Sequence, residues 1–290
     1  MGKTLIFRVL SIILLTLNRK NGILLAEYWM NNKEGFMAKV VSFSNQKGGV
    51  GKTTSCVNIA AAVAKKGKKV LVIDLDPQGN ATSGLGVSKS KAKRTIYDVI
   101  IGRCEAKEAV IKTKFQNLSV IPSTIDLAGA ELELYDLEDG TNFTDKLAID
   151  DVKEQFDYIF IDCPPSLGML TVKALSSSDG IVIPMQCEFY SLEGMSQLLN
   201  TVKKIRQMYN PSLQIVGILL TMYNGRLTLT NQVVAELRKY YQDLIFKVPI
   251  SRTVRLSEAP SYGAPICYHD PYGKGSLEYA AVAKELMMRI

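Results

Sequence analysis

Residues 39–54 read KVVSFSNQKGGVGKTT, and this stretch decides the fold. Residues 39–45 form an apolar run that reads as a buried strand, residues 46–54 a glycine loop, and residues 55–66 a helix. A phosphate-binding loop needs that order. Glycines without a Cβ let successive backbone N–H groups curl around phosphate oxygens, and the helix adds the positive end of its dipole. The pattern G-x-x-x-x-G-K-[ST] fails at its first position, where Gln46 stands, but Gly51-Lys52-Thr53 is intact. A variant phosphate loop is implied, with Lys52 reaching the β- and γ-phosphates and the Thr53 hydroxyl ligating Mg2+. Lys47 is a second cation at the start of the loop. A plain glycine-rich turn carrying surface lysines is the simpler alternative, and the strand-loop-helix context weighs against it.

Two further segments extend the pattern. Residues 70–74 (VLVID) read as an apolar strand that runs into Asp74-Leu75-Asp76-Pro77-Gln78-Gly79-Asn80, so carboxylates emerge at a strand's carboxyl end, where open α/β sheets place their sites. Residues 157–165 (DYIFIDCPP) repeat this, with Asp162 closing a run of four apolar or aromatic residues, the position of a carboxylate that holds Mg2+ through water. Each aspartate alone could be an ordinary strand-end residue. Residues 118–122, 180–184 and 213–221 read as more buried strands, and residues 191–209, 228–241 and 276–289 as helices. The alternation predicts a single-domain α/β fold, doubly wound around a mostly parallel sheet. Residues 88–95, rich in lysine, read as a loop, and residues 124–151 as helix, turn at Asp139-Gly140, and helix.

The composition is that of a globular chain: 290 residues, 47% hydrophobic and 22% charged. Its five cysteines, Cys56, Cys104, Cys163, Cys187 and Cys267, are scattered without a C-x-x-C pair, which favours neither a disulfide framework nor a zinc site. A reducing cytoplasm fits. The single histidine, His269, excludes multi-histidine chemistry and reads as a surface loop residue. The net charge of +7 permits attraction to nucleic acid or an anionic membrane without proving either.

Residues 1–36 stand apart. Their apolar run, residues 5–17, is interrupted by Arg8 and is too short to span a bilayer. Export or anchoring is one reading. A second is that the gene start is over-extended: Lys33-Glu34-Gly35 permits the bases AAGGAGG, a bacterial ribosome-binding sequence, just before Met37. Residues 1–36 are then a non-native extension or a flexible segment, and residues 37–290 the working domain. That domain holds 30 Lys+Arg against 26 Asp+Glu, a net +4.

Four ordered motifs, KGGVGKTT, DLDPQGNATSG, DYIFIDCPPSLG and RTVRLSEAPSYGAPI, resemble the ParA/Soj chromosome- and plasmid-partitioning ATPases of the deviant Walker A group, to which MinD also belongs. The resemblance covers residues 37–290. It implies a slow ATPase that uses ATP and Mg2+ and forms a homodimer with ATP sandwiched between protomers. Lys47 would cross to the partner's phosphates, and Gly48 and Gly49 would let the two loops approach. Gly48 to Thr54, including Val50 and Gly51, would cradle the nucleotide, Asp76 would position the attacking water, and Thr53 with Asp162 through water would hold the metal. Residues 249–253 match the adenine segment, which makes Ser251 and Thr253 candidates there, although relatives often carry proline and asparagine at those two places.

The same resemblance implies nonspecific duplex DNA binding through Arg226 and Arg255, release by a ParB-like partner, and a cytoplasmic, nucleoid-associated protein without stable membrane association. Lys203, Lys204, Arg206, Arg238 and Lys239 lie on amphipathic helical stretches and read first as solvated faces. A MinD-like membrane-positioning ATPase is the alternative. A reductase like the nitrogenase iron protein is a third reading, which would enlist Cys163 or Cys187; both read instead as small buried residues.

Overall fold

In the computed structural model, residues 37–136 and 146–290 are described. The expected turn at Asp139-Gly140 and everything predicted for residues 1–36 fall outside them. A seven-stranded sheet among the described residues has the order β3-β4-β2-β5-β1-β6-β7, with β1 Lys39–Phe43, β2 Val70–Asp74, β3 Ile111–Lys112, β4 Leu118–Ile121, β5 Tyr158–Asp162, β6 Gly180–Gln186 and β7 Gln214–Thr221. Every pairing is parallel except that of β3 with β4. The doubly wound, mostly parallel sheet is the expected one.

The strands are apolar on both faces because helices cover both faces. Val41, Phe43, Val70, Val72 and Phe160 turn to one side and pack on α1 Lys52–Lys65, whereas Val40, Leu71, Ile73, Ile159 and Ile161 turn to the other. A third cluster joins β6 and β7 to α8 Phe189–Met208 and α9 Thr228–Tyr241. The last helix, α12 Lys274–Arg289, lies on α1 through Tyr279, Val282, Ala283 and Leu286. The intervening helices are α2 Asn80–Gly84, α3 Ile96–Ile100, α4 Ala106–Ala109, α5 Leu127–Asp136, α6 Asp150–Lys153, α7 Met169–Ser176, α10 Val254–Glu258 and α11 Ile266–His269.

Three details depart from the sequence reading. The helix after the glycine loop begins at Lys52 rather than residue 55. The lysine-rich loop contains a short helical turn, Lys89–Lys91. His269 is not a surface loop residue: it ends α11, its side chain is 13% exposed, and its ring lies 4.8 Å from that of Tyr262. Aromatic packing outweighed the polar character of the surrounding YHDPYGK segment.

Candidate nucleotide site

The glycine loop leaves the carboxyl end of β1, the middle strand of the site, between β5 and β6. Gly49 and Gly51 have φ of +73° and +85°, conformations that side chains resist, and Gly51 stands immediately before α1. No acidic residue occupies the first turn of α1 and no side chain caps it, so its N–H groups and positive dipole end face the loop unneutralised. The loop is held from below. Thr221 Oγ1 donates to the Val50 carbonyl (2.7 Å), Gln186 Nε2 to the Gly49 carbonyl (2.9 Å), and Asn45 Nδ2 to the Pro184 carbonyl (2.8 Å). Lys52 is 6% exposed and its Nζ donates to the Lys47 carbonyl at 3.1 Å, folding the lysine back over its own loop. Burial lowers its pKa, opposed chiefly by the Asp162 carboxylate.

Lys47 behaves differently. Its backbone N–H donates to Asn45 Oδ1 at 3.0 Å, but its ammonium reaches away from the loop to an ion pair with Glu188, just before α8. Both partners are substantially exposed, so the pair is screened and contributes little to stability. Lys47 and Lys52, five positions apart, are therefore held in separate places.

Asp74 and Asp162 are register partners on β2 and β5, two carboxylates side by side at the strand ends. Asp74 is fully buried and accepts from the Thr82 N–H and hydroxyl, both 2.7 Å, which ties β2 to α2. Burial nevertheless pushes its pKa up to about 6. Asp162 is also fully buried, and neither of its oxygens meets hydrogen-bond geometry with any described group. Burial first, then Asp74, raises its pKa well above the carboxylate range, against the pull of the Thr53 hydroxyl and Lys52. Asp76, 8% exposed, accepts the Gln78 N–H at 2.9 Å.

A divalent cation fits this arrangement. An unpartnered carboxylate beside a threonine hydroxyl is the donor set a hard cation takes up. No cluster of three or more His, Cys, Asp or Glu side chains among the described residues could hold a metal. Mg2+ does not need one, because it keeps several waters and binds through one or two protein groups plus substrate phosphates. Cys163 and Cys187 are buried thiols that burial raises to about 12 and about 11, as small core residues should be.

Ser251 and Thr253 line a cavity of about 250 Å³ together with Gly51, Thr54 and Arg252, so the structure brings the candidate adenine segment to the phosphate loop. Their side chains are engaged locally. The Ser251 hydroxyl donates to Glu278 Oε1 at 2.7 Å, and Thr253 Oγ1 accepts the Leu256 N–H at 3.2 Å, capping α10. The Ser251 backbone N–H is engaged as well, donating to Glu278 Oε2 at 2.8 Å. Residues 221–226 and 249–253 meet where Tyr223 N–H donates to the Ile250 carbonyl at 2.9 Å; Arg226 lies in the turn after β7, and Arg255 in the first turn of α10, which follows residues 249–253. Arg226 is exposed, and Arg255 pairs with Glu258 at 3.2 Å.

Sequence reasoning missed Glu188, Thr221 and Gln186, each distant in the chain from the loop it meets. Their one available signal was position, since all three follow or close a predicted strand at its carboxyl end.

A glycine loop with a buried lysine, joined to strand-end carboxylates at the rim of a doubly wound sheet, defines a P-loop nucleotide-binding protein. A family model described as an AAA domain matches residues 38–215, and the sporulation initiation inhibitor protein Soj of Bacillus subtilis is 50% identical over 230 residues, 79% of this chain and 90% of that protein. The chain belongs to the ParA/Soj family of partitioning ATPases. The chromosome partitioning protein ParA of Myxococcus xanthus is 45% identical over 235 residues, 81% of this chain and 83% of its own. Among solved structures, cobyrinic acid a,c-diamide synthase from Mycobacterium smegmatis with bound ADP and magnesium aligns with a TM-score of 0.73 at 33% identity, covering 86% of this chain and 93% of that one. The cell division ATPase MinD of Pyrococcus furiosus aligns at 0.71 and 25% identity, covering 87% and 99%.

Proposed function

We propose that the chain is a dimerising switch ATPase of chromosome or plasmid partitioning, which binds nonspecific DNA as an ATP dimer and is released when a ParB-like partner stimulates hydrolysis. The observation that carries this reading is the separation of the two loop lysines. Lys52 is buried over its own loop, where it meets the β- and γ-phosphates of its own nucleotide. Lys47 is held only by an exposed ion pair and is free to turn to a second protomer's phosphates when that pair opens.

Within one protomer, Gly48 to Thr54 bind the phosphates and the segment from Ser251 to Thr253 receives the base through its backbone. Thr53 directly, and Asp162 through water, hold Mg2+, which supplies charge neutralisation at the β- and γ-phosphates when bound. Asp76, at the end of β2, orients the attacking water. Arg226 and Arg255 meet DNA phosphates, so affinity depends on salt and hardly on sequence.

The MinD-like alternative needs an apolar helix free to enter a lipid surface. The apolar face of α12 is already spent on α1 through Tyr279, Val282 and Leu286, and no helix of the described residues is long and apolar enough to cross a membrane. A cytoplasmic, nucleoid-associated protein is the reading we favour. Co-sedimentation with duplex DNA in the presence of ATP, ADP or no nucleotide tests it, with liposomes replacing DNA in a parallel series. DNA pelleting this protein only with ATP is expected; pelleting only by liposomes overturns the reading.

A further inference from the structure

The lysine-rich stretch after α2 holds one lysine that turns inward. α2 ends at Gly84, and Gly86, with φ of +74°, turns the chain back: its N–H donates to the Ser83 carbonyl at 2.9 Å, and the Val87 N–H to the Thr82 carbonyl at 3.1 Å. Lys89 therefore returns to the residues that precede α2. It is half-buried, whereas Lys91 and Lys93 of the same stretch are exposed. Its stem lies against Gly79, where an added Cβ would meet Lys89 Cε at 2.8 Å and Cδ at 3.1 Å, and its ammonium donates to the Gln78 carbonyl.

The turn that Lys89 grips is the one that carries Asp76. β2 ends at Asp74, so the place of Asp76 depends on this turn and not on the strand ladder. The Gln78 N–H donates to Asp76 Oδ1 at 2.9 Å, and the Gly79 N–H to the Asp76 carbonyl at 2.8 Å. Two successive peptide groups thus hold the side chain and the backbone of one residue. The carbonyl that Lys89 takes belongs to the second of them, the group whose N–H holds the Asp76 carbonyl. A peptide group is planar, so fixing its oxygen fixes its N–H. An ammonium on that oxygen also polarises the group and strengthens the bond its N–H donates. Gln78 is exposed, and packing of its side chain does not anchor the turn. Lys89 itself faces a cleft of about 490 Å³ with Lys93, Thr95, Arg103 and Thr124, apart from the cavity that Ser251 and Thr253 line.

We propose that Lys89 is a positioning residue for ATP hydrolysis, which holds Asp76 toward the attacking water through the Gln78-Gly79 peptide group. It rests on the reading above that Asp76 orients that water. Lys89 acts on the chemical step and not on nucleotide binding, because its contacts are with the Asp76 turn and not with the phosphate loop or the base segment.

The test uses the full chain with Mg2+ and protein in excess over ATP, so that a quenched single turnover reads hydrolysis apart from product release. Lys89→Met keeps the stem against Gly79 and removes the donor. It should slow the single turnover about tenfold while leaving affinity for a fluorescent ATP analogue within about twofold. Its melting temperature should stay within about 2 °C of the wild type. Lys89→Arg should restore at least about half of the rate, since a guanidinium also donates to a carbonyl. Lys91→Met and Lys93→Met should hydrolyse ATP at the wild-type rate. With Asp76→Ala already in place, Lys89→Met should cost nothing further, as expected of two residues that act as a unit. Lys89→Met at the wild-type rate overturns the proposal, as does an equal loss in the Asp76→Ala background or in Lys91→Met. A fall in melting temperature and ATP affinity along with the rate marks a merely structural lysine and overturns it too. Asp76→Ala at the wild-type rate overturns instead the reading of Asp76 itself, whatever Lys89→Met does.

Discussion

Lys47 and Lys52 differ less in chemistry than in what surrounds them. A buried ammonium over the phosphate loop is needed for any nucleotide at all, so Lys52→Ala should weaken binding of a fluorescent ATP analogue by at least about a hundredfold, the loss of two to three kilocalories expected for charge-assisted contacts. Lys47→Ala should keep that affinity and lose the ATP-dependent dimer in sedimentation velocity, since in one protomer its ammonium turns away from the loop to Glu188, while its contacts within the loop are made by backbone atoms that alanine keeps. Asp162 has the opposite economy, a fully buried carboxyl whose ionised form is disfavoured first by burial and then by Asp74. Asp162→Asn should raise the melting temperature of the nucleotide-free protein by roughly 2–4 °C, about 1 kcal/mol in a domain of this size. It should also abolish the extra stabilisation that Mg2+ adds to ATP. The sign with pH follows from Asp74. Its pKa is raised from 3.8 to about 6, so the folded state binds the proton more tightly than the unfolded chain. That contribution favours folding at acid pH and is lost as pH rises through about 4 to 6. Melting scans of nucleotide-free protein should therefore give a higher melting temperature near pH 5.5 than near pH 7.5 relative to Asp74→Asn, in which the difference shrinks.

At the scale of elements, the segment from Asp74 to Gly84 shows how a strand end becomes a positioned loop. The DLDPQGN motif predicted carboxylates at the end of β2, but only the structure separates their tasks. Asp74 holds the N–H and hydroxyl of Thr82 in α2, whose Oγ1 in turn accepts the Ser123 N–H at 3.0 Å, while Asp76 orders the turn at Gln78. Gly79 is the tight point. It has φ of +60°, and an added Cβ would lie 2.7 Å from the Ser123 carbonyl and 2.8 Å from Lys89 Cε. Gly79→Ala should destabilise by about 1–3 kcal/mol in urea unfolding and slow ATP turnover by displacing Asp76. The long strands and helices were legible from residue 39 onward because apolar runs bounded by Gly, Pro and Asp have few alternatives, whereas β3 and the shorter helices α2, α3, α4, α7, α10 and α11 were not read. Element ends were less so: the helix after the glycine loop starts three residues early, since Lys52 and Thr53 take helical geometry as soon as Gly51 has turned the chain.

For the whole molecule, residues 37–290 carry every motif. The proposal that they form the working domain predicts that this stretch, expressed alone, melts within about 2 °C of the 290-residue chain and hydrolyses ATP at the same rate. Mass spectrometry of the native amino terminus should begin at Met37; a peptide from residues 1–36 would refute the over-extended start. The sequence by itself determined the doubly wound class, the phosphate loop and the strand-end carboxylates, because these depend on local pattern: glycines where backbone must bend, apolar runs where strands are buried, and acids where they end. Only the tertiary structure decided that Lys47 meets Glu188 across 141 positions, that Asp74 and Asp162 end side by side on neighbouring strands, and that α12 spends its apolar face on α1. Pairing, burial and charge summation depend on which elements become neighbours, and parallel crossovers bring together residues that no local window contains.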